Sequence, residues 1–429
     1  MRLKDLRAVA RQVGAITTTR DDPEFDERVL ADILRRRAGR SDRIQFEPIR
    51  NKDGAGTLAA TSDAQLLVRK EDDPAVRRLL TEVHGLDART ELSGRVIAYT
   101  GGRDPAALCR LAASLRRQGV PISANYVTPM GGYMKSVASP EMTEGRVPAF
   151  PEVESAQSPV RIAVIDTGVF GHDREDGWLA DLDTGSNREV LDDSPQDGFL
   201  DFAAGHGSFC AGIVQQIVPE ADIQVTKTLD SDGFADELAV ATEMVAAVRA
   251  GLANGQHVIV NLSLGTETAD DEHPVALGAA LEIIDEEARQ SDHEVLVVAA
   301  AGNYGHNRPC YPAAFPNVTA VAALTQGLQP AAWSSRGSWV DVCTIGEGVR
   351  STFVPGTESP IIDADLEQFP QNAWALWSGT SFAAPQVAAA ITKIAIDDGV
   401  APSEAKRRLL EGAGEVPLYG KRVEVLPRI

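Results

Sequence analysis

A serine near the C-terminal end of the chain stands where a nucleophile could be placed. Ser381 follows Gly379 and Thr380, which predict a tight turn, and it precedes an apolar run with Pro385 in the expected first helical turn. Backbone N–H groups at such a helix start are free to bind an anion, as an oxyanion formed by serine attack would require. The same pattern fits a serine that caps a buried helix, and this segment alone favours the cap.

Three further segments place polar residues at the ends of predicted elements. Asp166 follows the apolar run 161–165, His206 begins a predicted helix, and Asn303 ends the predicted strand that starts near residue 294. A serine hydroxyl becomes an effective nucleophile when a neutral imidazole accepts its proton and a buried carboxylate orients that imidazole. The order Asp, His, Ser and the absence of G-x-S-x-G around Ser381 disfavour an esterase or lipase of the α/β-hydrolase fold.

Four segments in this order resemble the motifs of the subtilisin-like serine proteases (subtilases, peptidase S8). They are R-I-A-V-I-D-T-G around Asp166, G-H-G-S-F-C-A-G-I-V around His206, A-A-A-G-N ending at Asn303, and G-T-S-F-A-A-P around Ser381. The resemblance extends from about Val160 to the C-terminus. It implies that Asp166 orients the imidazole, His206 is the general base and Ser381 the nucleophile. It also implies that the Asn303 side-chain amide stabilises the oxyanion, beside the backbone N–H of Ser381.

The resemblance also implies where a protein or peptide substrate would bind. Its extended backbone would pair with the segments 263–265 and 232–234 at the cleft and leave specificity to side-chain pockets. The residues so implied are Asp232, Gly233, Phe234, Ser263, Leu264, Gly265, Ala300, Ala301 and Gly302. Aspartates around Gly233 suggest basic side chains at the non-prime positions of the substrate. The alternative is a catalytically silent subtilase-like scaffold that binds a peptide or partner, which the presence of all three triad residues disfavours.

The predicted fold class is α/β, with a three-layer, parallel-sheet, subtilisin-like catalytic domain over residues 160–429 and a smaller N-terminal α+β domain. Residues 1–60 are predicted to be a polar extension, with a helix over 25–37 and a loop over 51–61. Residues 61–138 are predicted to form the smaller domain. Residues 139–159, rich in proline and glutamate, are predicted to be a linker.

Strand and helix patterns alternate in the smaller domain. Strands are predicted at 64–69, 94–100 and 122–127, and helices at 73–85 and 104–119, with Asp73 as a cap and Pro74 at the first helical position. This order suggests a ferredoxin-like sandwich. In subtilases a domain of this size and place is often an inhibitory prodomain, whose tail enters the cleft. The tail here would be residues 128–136, and a self-processing cut would fall at about 131–159. A permanent accessory domain is the alternative.

Composition restricts the partners and the compartment. The formal net charge of −21 argues against nucleic acid and against anionic membrane surfaces. The four cysteines, Cys109, Cys210, Cys310 and Cys343, are scattered, which predicts neither a disulfide framework nor a metal site and favours a reducing compartment. The charged N-terminus has no signal-peptide pattern, and no run is apolar enough to span a membrane. The prediction is a cytoplasmic protein, with export by another route left open.

No cofactor is required by the predicted chemistry. Residues 178–204 carry six aspartates, and because subtilases often bind calcium, a calcium site there stays an open alternative that the pattern does not support. Gly185 stands where an EF-hand would have its third ligand, so a solvated acidic loop is the prediction. Cys210, one turn after His206, is predicted to be a small buried hydrophobic residue rather than a redox-sensitive thiol.

Overall fold

The computed structural model describes most of the 429 residues. The described residues are 3–20, 31, 33–38, 40, 44–50, 58–102, 104–129, 139–143, 145, 147–151, 158–182, 185–193, 196–360 and 366–428. The predicted cut region at 131–159 and the predicted helix at 25–37 therefore lie partly outside them. Residues 33–37 of that helix are helical.

The N-terminal part alternates strands and helices. Its elements are α1 (Leu3–Arg20), β1 (Phe46–Arg50), β2 (Leu58–Arg69), α2 (Asp73–Arg78), β3 (Asp87–Glu91), β4 (Val96–Thr100), α3 (Pro105–Arg116), β5 (Ile122–Pro129) and β6 (Glu141–Met142).

The C-terminal part contains the large sheet and its helices. Its elements are β7 (Val160–Asp166), α4 (His206–Ile217), β8 (Asp222–Lys227), β9 (Phe234–Asp236), α5 (Glu237–Ala253), β10 (His257–Leu262), α6 (Val275–Arg289), β11 (Val295–Ala300), β12 (Val318–Leu324), β13 (Val342–Ile345), β14 (Val349–Thr352), β15 (Gly356–Thr357), β16 (Gln368–Phe369), β17 (Trp374–Trp377), α7 (Ala384–Asp398), α8 (Pro402–Leu410), β18 (Glu415–Val416) and β19 (Gly420–Arg422).

The large sheet has eight strands in the order β18-β19-β13-β12-β11-β10-β7-β8. All neighbours are parallel except β18 and β19. Every residue of β7 is buried, as expected for a parallel strand covered on both faces. Ile162 and Val164 pack with α4, whereas Ala163 and Ile165 pack with α5 and α6. The sheet is thus the middle of three layers, and the predicted α/β fold class is confirmed.

The N-terminal sheet has the order β3-β4-β2-β5, with β1 beside β2 and all pairs antiparallel. The element order β2-α2-β3-β4-α3-β5 is the β-α-β-β-α-β order of ferredoxin-like domains. This sheet does not end at β5, because residues of β5 pair antiparallel with β9: Val127 with Asp236, Thr128 with Ala235 and Pro129 with Phe234. The strand that contains Phe234 therefore belongs to both parts of the molecule.

Several local predictions in the N-terminal part are wrong. The loop predicted over 51–61 ends earlier, because β2 already begins at Leu58; residues 51–57 are outside the described part. The helix predicted over 73–85 is α-helical only to Arg78 and continues as a π-helical turn at Leu79–Val83. Asp73 does not cap it. Its buried carboxylate instead accepts from the Tyr99 hydroxyl and, at 2.8 Å, from Arg77 Nε.

One face of the N-terminal sheet covers α5 and α6. Leu67, Val96 and Ala98 join the apolar cluster of these helices, and ion pairs at its edge join Arg69 to Glu282 and Arg95 to Glu286. Strand β5 also supplies caps for both helices.

The caps come from two polar side chains of β5. Ser123 Oγ accepts from Val275 N at 3.2 Å, and Asn125 Oδ1 accepts from Leu238 N at 3.4 Å. Because the first N–H groups of a helix have no partner within it, these contacts let the N-terminal domain stabilise two helices of the large domain.

Candidate active site

Asp166 and His206 meet at the carboxyl edge of the large sheet. Asp166 is the last residue of β7, and His206 is the first residue of α4. His206 Nδ1 lies 2.7 Å from Asp166 Oδ1, and both side chains are almost fully buried. Thr167 N donates to the same Asp166 oxygen at 2.8 Å. A buried carboxylate at this distance fixes the imidazole tautomer with its proton on Nδ1, so that Nε2 is left as the base.

Ser381 lies in the short 3-10 turn Thr380–Phe382 that precedes α7. The Phe382 ring is 5.3 Å from the His206 ring, between centroids, so the turn lies against the imidazole. The Ser381 hydroxyl donates to Ser263 O at 3.1 Å in this structure, and Ser263 Oγ donates to Ser381 O at 2.7 Å. Because the hydroxyl is used in this way, attack on a substrate would require the Ser381 side chain to rotate toward His206 Nε2. Catalytic hydrogen bonds often form only when substrate is bound.

Asn303 is held in one orientation by Thr380. Its Oδ1 accepts from both Thr380 N and Thr380 Oγ1, each at 2.9 Å. Because the oxygen branch of the amide is used in this way, the nitrogen branch is the one that could donate to an oxyanion. Thr380 Oγ1 also accepts from Gly302 N at 3.1 Å. No role beyond that of a turn residue is predicted for Thr380, because nothing in the sequence distinguishes it from one.

Cys210 lies between the imidazole and the nucleophile turn. Its Sγ is 3.9 Å from His206 Nδ1 and 3.6 Å from Ser381 O, and the side chain is buried as predicted. Burial raises the pKa of the thiol well above its ordinary value, so the group is uncharged at neutral pH.

Asp166, His206 and Cys210 are the one group of three metal-ligating side chains found among the described residues. Calcium takes six to eight oxygen ligands, and this group offers a single carboxylate. The set therefore does not fit calcium.

Two groups of predicted substrate residues lie at 263–265 and 300–302, at the ends of β10 and β11. Ser263 contacts Ser381 directly, whereas Ala300 and Ala301 are buried within the sheet, and Ala301 N donates to Val321 O at 2.9 Å. Predicted Leu264 is also buried.

Gly265 and Gly302 approach a side chain that the sequence analysis treated as packing. A Cβ built on Gly265 would lie 2.8 Å from Cys310 Sγ, and one built on Gly302 would lie 3.1 Å from it. The Cys310 side chain thus lies close to both of these glycines.

The third predicted edge, at residues 232–234, is occupied by arginines of the chain itself. Arg37 Nη2 lies 2.7 Å from Asp230 Oδ2, and Arg36 Nη1 lies 3.0 Å from Asp232 Oδ1. The Arg37 guanidinium also stacks near the Phe234 ring, 5.3 Å from its centroid. Gly233 has a φ of +85°, which favours glycine in this tight turn. The acidic groups expected to attract a basic substrate are thus paired internally in the full chain.

Residues 178–204 were predicted to be a solvated acidic loop, and this is wrong for part of the segment. Trp178 and Leu179 are part of the apolar core beside α4, and Glu189 and Asp201 are buried. The aspartates at 192 and 197 do follow the prediction in lying near solvent. The segment is therefore anchored to the large domain at both ends.

No helix in the described part of the chain is long and apolar enough to cross a bilayer.

The chain is similar in sequence to known proteins. A sequence model of the subtilase family (peptidase S8) matches residues 157–420, more than half of the chain. Thermitase from Thermoactinomyces vulgaris is 31% identical over 242 residues, covering 54% of this chain and 73% of thermitase. Subtilisin BL from Lederbergia lenta is 30% identical over 244 residues, covering 54% of this chain and 75% of that protein. A crystal structure of a cold-adapted subtilisin-like serine proteinase aligns with a TM-score of 0.44 at 22% identity, covering 63% of this chain and 90% of that chain. The chain belongs to the subtilase family and is a serine endopeptidase.

Proposed function

We propose that Asp166, His206 and Ser381 form the catalytic triad that hydrolyses peptide bonds, with Asn303 and the Ser381 N–H as the oxyanion donors. The observation that carries this proposal is the buried contact of 2.7 Å between His206 Nδ1 and Asp166 Oδ1, beside the turn that holds Ser381. All groups that the reaction needs come from these residues, so the proposal includes no cofactor.

The reaction would proceed through an acyl-enzyme. Ser381 Oγ attacks the carbonyl carbon of the scissile bond while His206 Nε2 takes the hydroxyl proton, and the carbonyl oxygen becomes an oxyanion. The C–N bond then breaks as His206 gives that proton to the leaving amine. Water enters, loses a proton to His206 and attacks the ester, which releases the acid and returns the proton to Ser381 Oγ. Asp166 stays ionised and stabilises the imidazolium in both steps.

The N-terminal domain is proposed to be inhibitory. Its last strand, β5, pairs with β9 through Pro129 and Phe234, and Phe234 belongs to the predicted substrate edge. The predicted tail at 128–136 follows directly, and beyond Pro129 it lies outside the described residues. Such β-pairing binds through the main chain and would block any peptide, whatever its sequence. The cytoplasmic location remains a prediction from the sequence.

The test uses a fluorophosphonate, which reacts with an activated serine, and intact mass. Purified wild type and Ser381→Ala are treated before and after nicking with thermolysin, a metalloprotease that does not react with the probe. The expected result is an adduct on wild type alone, with a chain that has lost its first 130–160 residues or that labels only after nicking. An adduct on the full 45.7 kDa chain would keep the triad and refute the inhibitory role. The absence of an adduct in every sample would refute the triad.

A further inference from the structure

Glu189 is a buried carboxylate that the reaction described above does not use. Its side chain is 3% exposed, and it lies in the segment 178–204 that separates β7 from α4. Glu189 N donates to Val169 O at 3.0 Å, and Val169 N donates to Asn187 O at 3.0 Å. This segment therefore lies alongside the residues that directly follow Asp166.

The carboxylate accepts hydrogen bonds from both segments that carry the Asp–His pair. From the first segment, Thr167 Oγ1 donates to Oε1 at 2.5 Å, and the same residue donates its N–H to Asp166. From the first turn of α4, Gly205 N donates to Oε1 at 2.8 Å and Ser208 Oγ donates to Oε2 at 2.6 Å. The general base lies between these last two residues, so the carboxylate links the two sides of the pair.

The two hydroxyl groups are set to donate to the carboxylate. Thr167 Oγ1 accepts from Gly207 N at 2.9 Å, and Ser208 Oγ accepts from Phe170 N at 2.9 Å. Each hydroxyl has one proton, and with the backbone N–H on its acceptor side that proton is directed at Glu189. The ionised carboxylate therefore matches three donors.

The segments are packed so closely that movement of one displaces the others. A Cβ on Gly207 would lie 2.1 Å from Gly168 O, and a Cβ on Gly168 would lie 2.6 Å from Asn187 O. Only glycine fits at these two contacts. The distance between the end of β7 and the start of α4 is thus set by direct backbone contact together with the Glu189 hydrogen bonds.

We infer that Glu189 is a positioning residue of the proposed protease, an inference that rests on the triad assigned above. Its carboxylate holds the residues after Asp166 against the first turn of α4 and so keeps the imidazole at its short distance from the aspartate. Glu189 touches neither the substrate nor the reacting atoms. It acts through Asp166 and His206.

The position also favours a negative charge. Gly205 precedes α4 and offers no side-chain cap, so the Glu189 carboxylate takes that place at the positive end of the helix dipole. Burial nevertheless raises the pKa of Glu189 to about 7, because desolvation outweighs the hydrogen bonds that it accepts. The titratable groups that act on it are Asp166 at the end of β7, whose charge raises its pKa further, and the neutral Cys210 thiol on α4. The carboxylate is therefore ionised above neutral pH.

Glu189→Gln tests the charge with little change of shape. The amide nitrogen of the glutamine would face a group that donates at present, so one of the three hydrogen bonds is lost. We expect the rate of fluorophosphonate labelling at Ser381 to fall by up to about 100-fold, the loss that a shift of about 1 Å in reacting groups can cause. For a peptide substrate, kcat should fall while KM stays within about twofold.

The pH profile of labelling separates positioning from a general loss of stability. In wild type the labelling rate should fall as Glu189 is protonated near pH 7, and in Glu189→Gln this fall should be absent. Glu358→Gln is the matched control, because Glu358 is also a buried carboxylate and it lies beyond β15, outside the segments that hold the Asp–His pair. It should label at the wild-type rate with the wild-type profile.

Glu189→Asp keeps the experiment decisive if the glutamine variant does not fold. It retains the charge but is one methylene too short to reach both segments, so it should label more slowly than wild type and keep the fall in rate that protonation of this carboxyl causes. If a folded Glu189→Gln or Glu189→Asp variant labels at the wild-type rate and with the wild-type pH profile, the inference is overturned and the triad is left intact. If nicked wild type does not label, the triad fails and the inference fails with it.

Discussion

Replacing Arg37 by alanine should release residues 33–46 from the large domain in the full chain. The Arg37 side chain is 1% exposed, and its Nη2 lies 2.7 Å from Asp230 Oδ2 while Nη1 lies 3.6 Å from Asp232 Oδ2. Nε and Nη2 also donate to Ile44 O at 3.2 and 3.0 Å. The Arg37 side chain therefore joins the helical turn that carries it to Ile44, and it joins both to the predicted substrate edge.

The magnitude follows from what the alanine leaves behind. Removal of one partner of a buried ion pair costs about 3–5 kcal/mol, because the remaining charge is desolvated without compensation. Arg36 Nη1 stays 3.0 Å from Asp232 Oδ1, so part of the negative charge remains paired and the lower end applies. We expect a loss of about 3 kcal/mol, which is about a 150-fold rise in the population of the locally opened state.

Hydrogen exchange measures this opening directly, in a Ser381→Ala background that prevents self-cleavage. Backbone amides of residues 33–38 and 44–46 should exchange about 150-fold faster in Arg37→Ala than in the parent. Arg40→Ala is the matched control, since Arg40 and its partner Asp193 are 30% and 29% exposed and such a pair contributes less than about 1 kcal/mol. If Arg37→Ala accelerates exchange no more than Arg40→Ala does, the buried cluster does not hold the segment.

Two further predictions concern catalysis and domain release. Asn303→Ala should lower kcat by about 10²–10³ with little change in KM, the loss already known for an oxyanion donor of subtilisins; equal effects on both constants would contradict the assigned role. Burial raises the pKa of Glu237, at the interface with Ser123, well above its ordinary value of 4.5, so its contribution to docking is present at low pH and is lost as pH rises through the raised value. In nicked Ser381→Ala chains, the N-terminal fragment should therefore dissociate at a higher pH when position 237 is glutamine (Glu237→Gln) than when it is glutamate. Size-exclusion chromatography at a series of pH values measures this dissociation. The same midpoint in both would argue against this role for Glu237.

The residues of the proposed triad could be selected from the sequence because they stand at the ends of strongly patterned elements. Asp166 ends a strand that is apolar at nearly every position, and the order of the motifs restricted the chemistry further. The hydrogen bonds that orient these groups could not be predicted. Thr380 holds Asn303 across 77 residues of sequence, and Ser263 holds Ser381 across 118. Such contacts depend on which loops the sheet brings together, and a single serine or threonine carries no pattern of that kind.

Strand β3 and the role of Arg37 were both missed, for different physical reasons. Strand β3 has the sequence D-A-R-T-E at the edge of its sheet, where all its residues are partly or fully exposed, so it lacks the apolar alternation by which strands are predicted. The role of Arg37 was missed for the opposite reason. A run of arginines in a charge-rich segment is typical of a solvated surface, and only the tertiary structure brings Arg37 to Asp230.

The contacts of the N-terminal region with the cleft bear on what a cut within residues 131–159 would do. The side chain of Gln12 bridges Ser139 O and Leu376 O, each at 2.8 Å, and accepts from Ser378 Oγ at 2.7 Å, three residues before the nucleophile. In all three contacts with the large domain, the N-terminal member precedes that region: Gln12, Arg37 and strand β5. One cut there would therefore weaken all three contacts together. Strand β6 pairs with β17, which leads directly to Ser378. A cut before β6 would leave that support in place, whereas a cut after it would expose the edge of β17 beside the nucleophile turn. Release of the cleft without loss of its support therefore requires cleavage on the N-terminal side of Glu141.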